Sequence, residues 1–215
     1  MIDRILLTHG SGGRVAHRLI EEVFLAAFDD PMLATLEDSA TADFRGRLAF
    51  TTDGFVVQPL VFPGGDIGRL AVCGTVNDLS MAGAEPLYLS LALILEEGLP
   101  MTDLRRVVES AAATAREAGV RIVTGDTKVV HRGKADGIFI TTAGVGRVRE
   151  GVAISAAAAR PGDAVLLSGT VGDHGVAVLS RREGLEFSGE VRSDCAPLNG
   201  LVAAMLDACP EIRCL

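Results

Sequence analysis

The chain has 215 residues, 48% of them hydrophobic and 22% charged, which allows one or two domains with a real core and excludes a disordered or fibrous protein. A net charge of −8, 4% aromatic residues and no tryptophan argue against a basic, base-stacking groove, so no nucleic-acid partner is expected. Four cysteines without a CxxC pair, no apolar run near the roughly 18 residues of a membrane span and no signal-peptide pattern point to a cytoplasmic protein with no membrane partner.

Met1 to Leu7 is apolar enough for an edge strand, and Thr8-His9-Gly10-Ser11-Gly12-Gly13 opens a helix, capped by Ser11, whose apolar face is Val15, Leu19, Ile20, Val23, Phe24 and Ala27. Asp29 to Arg47 reads as a long loop. Leu48 to Thr52 and Phe55 to Val57 read as strands on either side of Asp53-Gly54. Pro63-Gly64-Gly65-Asp66 starts a second helix, Ile67 to about Ala82, whose small residues imply close packing. Pro86 to Leu95 is a nearly continuous apolar run, typical of a strand buried on both faces. Thr102 can cap a third helix through Ala118, with Leu104, Val107, Val108, Ala111, Ala115 and Ala118 inward and Gly119 as its stop. Strands follow at Arg121 to Thr124 and Ile138 to Val145.

This order reads as an α+β fold, a mixed sheet with helices on one face, over residues 1–159. The texture changes at Ala157 to Asp163. Residues 160–215 carry a strand (Ala164 to Ser168) and helices near Val176 to Arg182 and Pro197 to Ala208. That is too little for an independent core, so this part is expected to be the incomplete beginning of a second α+β domain in a longer protein.

Acidic residues recur beside Gly, Ser, Thr or Asn: Glu37-Asp38-Ser39, Thr52-Asp53-Gly54, Asn77-Asp78 and Gly125-Asp126-Thr127. Each alone is equally a turn or capping residue. As a set, Asp38, Asp53, Asp78 and Asp126 suit a hard cation such as Mg²⁺, through which an acidic protein can hold a nucleotide. The turn His9, Gly10, Ser11, Gly12 and Gly13 puts backbone N–H groups at a helix start, where an anion is favoured, although it is neither a Walker loop nor GxGxxG. Of 20 cationic residues only two are lysines, Lys128 and Lys134, both just after Asp126. They serve phosphate neutralisation or proton transfer, or merely occupy an exposed charged loop. His174, in Gly172-Asp173-His174-Gly175, is either a catalytic or positioning group or a structural turn histidine. Lys134 and His174 are the candidate catalytic residues.

Together these segments resemble the hydrogenase maturation factor HypE family, in the superfamily of aminoimidazole ribonucleotide synthetase and selenophosphate synthetase. The resemblance is carried by His9 to Gly13, Phe62-Pro63-Gly64-Gly65-Asp66-Ile67-Gly68, Gly74-Thr75-Val76-Asn77-Asp78-Leu79, Pro86 to Ser90, Ile94 to Pro100, Val123-Thr124-Gly125-Asp126-Thr127-Lys128-Val129-Val130 and Gly172 to Gly175. It implies a homodimer formed through the sheet of the first domain, with ATP in a cleft shared between subunits. Asp38, Asp53, Asp78 and Asp126 would be the Mg²⁺ positions, with Thr75, Asn77, Thr127 and Lys128 beside the nucleotide. It further implies carbamoyl dehydratase chemistry. A carboxamide received from a HypF-like carbamoyltransferase on a C-terminal cysteine is dehydrated with ATP to a thiocyanate, the source of hydrogenase cyanide ligands, with HypC- and HypD-like maturation proteins as further partners.

The family's Arg-Asp-(Pro/Ala)-Thr-Arg-Gly-Gly segment and terminal Pro-Arg-Ile-Cys are missing here. Cys214 has the wrong flanks to be the carrier cysteine. Two alternatives remain: another ATP-using enzyme of the superfamily, of selenophosphate or purine-pathway type, or a catalytically silent nucleotide-binding dimeric scaffold. Against selenophosphate synthesis, the turn near residue 10 offers no cysteine.

Overall fold

A computed structural model describes residues 3–185, 189 and 191–215. The strands are β1 (Leu48–Phe55), β2 (Val61–Phe62), β3 (Gly65–Asp66), β4 (Ala84–Glu96), β5 (Arg121–Val130) and β6 (Ile138–Val148), and the helices are α1 (Arg14–Leu19), α2 (Ala26–Phe28), α3 (Ile67–Met81), α4 (Met101–Ala118), α5 (Asp173–Glu183) and α6 (Asn199–Ala208). Four strands form a mixed sheet in the order β1-β6-β4-β5, with β6 antiparallel to both neighbours and β4 parallel to β5. The parallel pair requires a long crossover, and α4 supplies it. The expected α+β fold, with helices on one face of a mixed sheet, is the fold observed.

The core lies between the sheet and α3 with α4. Leu89, Leu91, Leu93 and Leu95 of β4 and Ile138 and Ile140 of β6 meet Val72, Val76 and Leu79 of α3 and Leu104, Val107 and Val108 of α4, all buried. Each such side chain contributes about 1.5–3 kcal/mol on leaving water. Asp66 starts α3 by accepting from the Gly68 and Arg69 N–H groups at 2.9 and 3.0 Å. Gly119, at φ +70°, ends α4. Residues after 149 lie partly against this body: Asn199 Nδ2 donates to the Ala118 carbonyl at 2.7 Å, and Arg149 pairs with Asp207 at 2.9 Å.

Several expectations are corrected. The N-terminal stretch is no strand among its described residues. It makes one bridge, Arg4 to Pro100, and hydrogen bonds through Ile5 to Gly98 and Leu99. The first helix passes through a π-helical segment, Ile20–Leu25, and the buried residue near its start is Ala16, while Val15 is exposed. Gly13 occupies the N-cap position, and the Ser11 hydroxyl turns back to the Thr8 carbonyl at 2.9 Å. Pro100, not Thr102, is the cap residue of α4. Asp53-Gly54 is no turn, because β1 runs unbroken through it on the ladder offered by β6. Ala164 to Ser168 is assigned no strand and has no pairing partner among the described residues.

The largest correction concerns β4, which is buried on one face only. Its other face, with Tyr88, Ser90, Ala92 and Ile94, joins Phe139, Thr141, Ala143 and Val145 of β6 and Leu48 and Phe50 of β1 on the side of the sheet that α3 does not cover. Phe50 is 66% and Leu48 56% exposed there.

Candidate functional site

The glycine-rich turn and the Asp126 segment meet at the β5 edge. Leu7–Gly10 forms a 3₁₀ turn, and a Cβ on Gly10 would fall 2.7 Å from the Val129 nitrogen, so only glycine lets the turn lie this close to β5. His9 is buried, and its Nδ1 lies 2.9 Å from the Leu6 backbone nitrogen and 3.2 Å from the Leu6 carbonyl oxygen. A pocket of about 340 Å³ opens here, lined by His9, Gly10, Gly12, Asp126, Thr127 and Lys128 among others, with Leu19, Ile20 and Phe24 as an apolar wall. Lys128 Nζ lies 3.2 Å from Asp126 Oδ1, which also accepts the Thr127 N–H at 2.8 Å. Glu37 and Ser39 line the same pocket, and Asp38 between them is exposed. Gly13 stands just outside as the cap of α1.

A second oxygen-rich cluster lies at the opposite edge. Asp53 shares a strand face with Thr51 and Phe55, turned toward α3, and the Thr51 hydroxyl donates to Asp78 Oδ2 of α3 at 3.0 Å. Gly74 of α3 makes the approach possible, since a Cβ there would lie 2.7 Å from the Phe55 ring and 3.4 Å from Asp53 Oδ2. Thr51 was missed from the sequence, although its place two residues before Asp53 on a strand puts both on one face.

The four aspartates therefore do not converge within one chain. Across the sheet, Asp53 stands in the row Asp53–Thr142–Leu91–Gly125, and Asp126 stands in the next row, Gly54–Thr141–Ala92–Asp126, on the other face. Three strand spacings separate the edges, roughly 14 Å at ~4.8 Å each. No group of three or more His, Cys, Asp or Glu close enough to hold a metal ion occurs among the described residues.

Other expected site residues have structural occupations. Thr75 is fully buried, and its hydroxyl hydrogen-bonds that of Thr142, so its side chain faces the core. Asn77 spends its side-chain amide on the chain after residue 195, donating to the Ala196 carbonyl at 3.0 Å and accepting the Leu198 N–H at 2.8 Å. His174 Nδ1 lies 3.1 Å from Ser193 Oγ, and its ring meets Phe62 edge-on at 5.0 Å between centroids. Lys134 is exposed in the β5–β6 connection and enters no ion pair among the described residues. That connection is ordered by Glu96, which accepts the Gly133 and Gly137 N–H groups, a role with no local sequence signal.

Residues 36–148 match the family model for the N-terminal domain of AIR synthase related proteins. The chain belongs to that family. Within the family it is similar to the carbamoyl dehydratase HypE of Cupriavidus necator, at 59% identity over 214 residues, covering 99% of this chain and 61% of that protein. A solved structure of hydrogenase maturation protein HypE in complex with ATP matches with a TM-score of 0.91 and 57% identity, over 94% of this chain and 60% of that one. HypE in a HypE–HypF complex matches at a TM-score of 0.74 and 56% identity, over 88% of this chain and 62% of that one. The resemblance of this AIR synthase related chain to HypE is thereby borne out, and the chain spans about 60% of the length of these relatives.

Proposed function

We propose that this chain is the nucleotide-binding front part of a HypE-type carbamoyl dehydratase of hydrogenase maturation, with residues 160–215 as the opening of its second domain. The observation that carries this reading is the pocket in which the His9–Gly13 turn meets Asp126, Thr127 and Lys128, in a chain so similar to a HypE that binds ATP. Backbone N–H groups of the turn and the Lys128 ammonium receive phosphate oxygens, while the wall of Leu19, Ile20 and Phe24 excludes water.

Asp53 and Asp78 fit a Mg²⁺ ion that also takes oxygens from phosphates and water, since such sites need only one or two protein carboxylates. When bound, that ion neutralises charge on the phosphates. Asp38, at the pocket rim, and Asp126 bear on the same phosphates. Because Asp126 and the Asp53–Asp78 pair lie at opposite sheet edges, a nucleotide that engages both does so across two subunits. The open apolar face of the sheet is the surface through which a homodimer forms. Lys134 is the exposed ammonium available to a bound phosphate, and His174, held by Ser193 and Phe62, acts by positioning.

The reaction converts the thiocarboxamide of a C-terminal cysteine, with ATP, to thiocyanate, ADP and phosphate. An amide oxygen is a poor leaving group, and phosphorylation makes it a good one. The carrier cysteine belongs to the remainder of the protein. A HypF-like carbamoyltransferase supplies the carboxamide, HypC- and HypD-like proteins take the product group onward, and the setting is cytoplasmic. The test is Mg-ATP turnover by the full-length protein with and without a carbamoyl donor. Carbamoyl-dependent ADP release is expected. Release indifferent to the donor would favour another ATP-using enzyme of the superfamily, and no turnover under any condition would leave a scaffold.

A further inference from the structure

Helix α3 presents Arg69, Cys73 and Asn77 at successive i, i+4 positions, and one stretch of chain runs along that face. Arg69 Nε donates to the Cys195 carbonyl at 3.1 Å, while Asn77 holds Ala196 and Leu198 at 3.0 and 2.8 Å. Cys195 is set further by its own N–H, which donates to Ser193 Oγ at 3.2 Å. Cys73 is therefore placed between two anchors that both grip the segment carrying Cys195. It is buried, Cys195 is half-buried, and neither is engaged in a disulfide. The nucleotide reading above uses neither thiol.

We propose that Cys73 and Cys195 are a redox pair whose reversible disulfide fastens the segment from Cys195 to Leu198 onto helix α3. The neighbouring Cys195 side chain, and after it burial, pushes the Cys73 thiol up. Cys73 in turn, with the Arg69 guanidinium, holds Cys195 below the usual thiol range against the opposing effect of burial. Cys195 is the more accessible of the two, the one that reacts first.

The oxidant is a small-molecule disulfide of the glutathione class. The Cys195 thiolate attacks one of its sulfurs, forming a mixed disulfide and expelling one small thiolate. That thiolate takes the proton of Cys73, whose sulfur then attacks Cys195 Sγ and expels the second small thiolate. Two protein thiols lose two electrons and two protons, and one small disulfide becomes two thiols. Excess thiol reverses the exchange.

The experiment equilibrates the 215-residue chain, carrying Cys209→Ser and Cys214→Ser to remove the exposed thiols, against mixtures of reduced and oxidised glutathione. Disulfides are mapped by non-reducing peptide mass spectrometry, in buffer and in concentrated urea, with the unsubstituted chain mapped in parallel. The expected result is a Cys73–Cys195 cross-link that titrates with the glutathione ratio, with an equilibrium constant at least tenfold higher folded than in urea. Asn77→Ala, which removes one anchor, should reduce that advantage. A glutathione adduct on Cys195 with Cys73 still free to alkylate would overturn the proposal, as would equal constants in buffer and urea, or pairing of Cys195 with Cys209 or Cys214 in the unsubstituted chain.

Discussion

The Thr51 hydroxyl donates to Asp78 Oδ2 at 3.0 Å, joining an edge strand to the helix that packs beneath the sheet. Thr51 and Asp53 share the inward face of β1, so this bond brings the two carboxylates, Asp53 and Asp78, to one end of the α3–β1 seam. An isolated aspartate beside glycine is a turn residue in most settings. Two of them on different elements, one tied to a threonine hydroxyl, are the arrangement on which the proposed Mg²⁺ reading rests.

Asp53→Asn and Asp78→Asn should each weaken Mg-ATP binding at least tenfold, about 1.4 kcal/mol, because a neutral amide oxygen cannot offset the charge of the ion. Asp126→Asn should do the same from the other sheet edge. Asp103→Asn, exposed in the first turn of α4, should leave binding unchanged. Isothermal titration decides the matter, and equal losses for all four would remove the assignment.

Gly74→Ala tests the closeness of the seam. The new Cβ would lie 2.7 Å from the Phe55 ring, so either ring or helix must move. Overpacking of this kind costs about 1–3 kcal/mol, read as a lower urea midpoint at constant slope. Phe55→Leu in the same chain should restore part of the loss. No change in midpoint would show that the ring moves aside freely.

Asp30 and Arg121 form a bidentate pair at 2.6 and 3.0 Å that fixes the loop after the first helix to the start of β5. Burial alone would raise the Asp30 carboxyl, but the Arg121 hydrogen bonds and the Met32 and Leu33 N–H groups outweigh it and hold the group below its ordinary value of 3.8. The folded state thus favours the ionised form. The stabilisation is complete above pH 3.8 and is lost as pH falls through the lower folded value. Asp30→Asn should cost about 1 kcal/mol at neutral pH, at the low end because Arg121 is partly exposed. Thermal melts should show the gap from wild type closing in strong acid, and a gap independent of pH would refute the ionic account.

How far the sequence revealed this depends on whether the local pattern had one meaning. Leu104, Val107, Val108, Ala111, Ala115 and Ala118 recur at helical spacing among polar residues, and all are buried as expected. Beta-strand β4 has no such contrast: Tyr88, Ala92 and Ile94 on its open face are as apolar as the leucines behind them, so exposure left no mark on the sequence. Asp53-Gly54 carries a turn signal that the ladder to β6 overrides. The π-helical segment shifts the phase of the first helix, which puts Ala16 inside and Val15 outside. The pocket joins His9 to Asp126 across more than half of the chain, a closeness no local spacing can announce. The edge-to-edge separation of Asp53 from Asp126 follows from strand order, which the residues alone did not determine.

The open face of the sheet supplies the last prediction. Phe50, Tyr88, Phe139, Val145 and Ile94 lie on one side of three adjacent strands, the face turned away from α3, bordered by the loop residues Ala40, Ala42 and Phe44. Apolar area of this extent is costly in water, and pairing the same patch about a two-fold axis removes it from solvent on both copies at once. A dimer built this way would also let Asp126 of one subunit and the Asp53–Asp78 pair of the other serve one nucleotide, as proposed above. Light scattering at micromolar concentration should therefore give twice the 22.4 kDa chain mass. Phe50→Glu should yield a monomer with an unchanged circular dichroism spectrum, because the ring is exposed in the single chain and its loss opens no cavity. The monomeric variant should also lose most of its Mg-ATP affinity, although Phe50 lies on the face away from Asp53 and Asp78. A monomeric wild type would end the dimer assignment, and a monomeric variant with wild-type affinity would place the whole nucleotide site within one subunit.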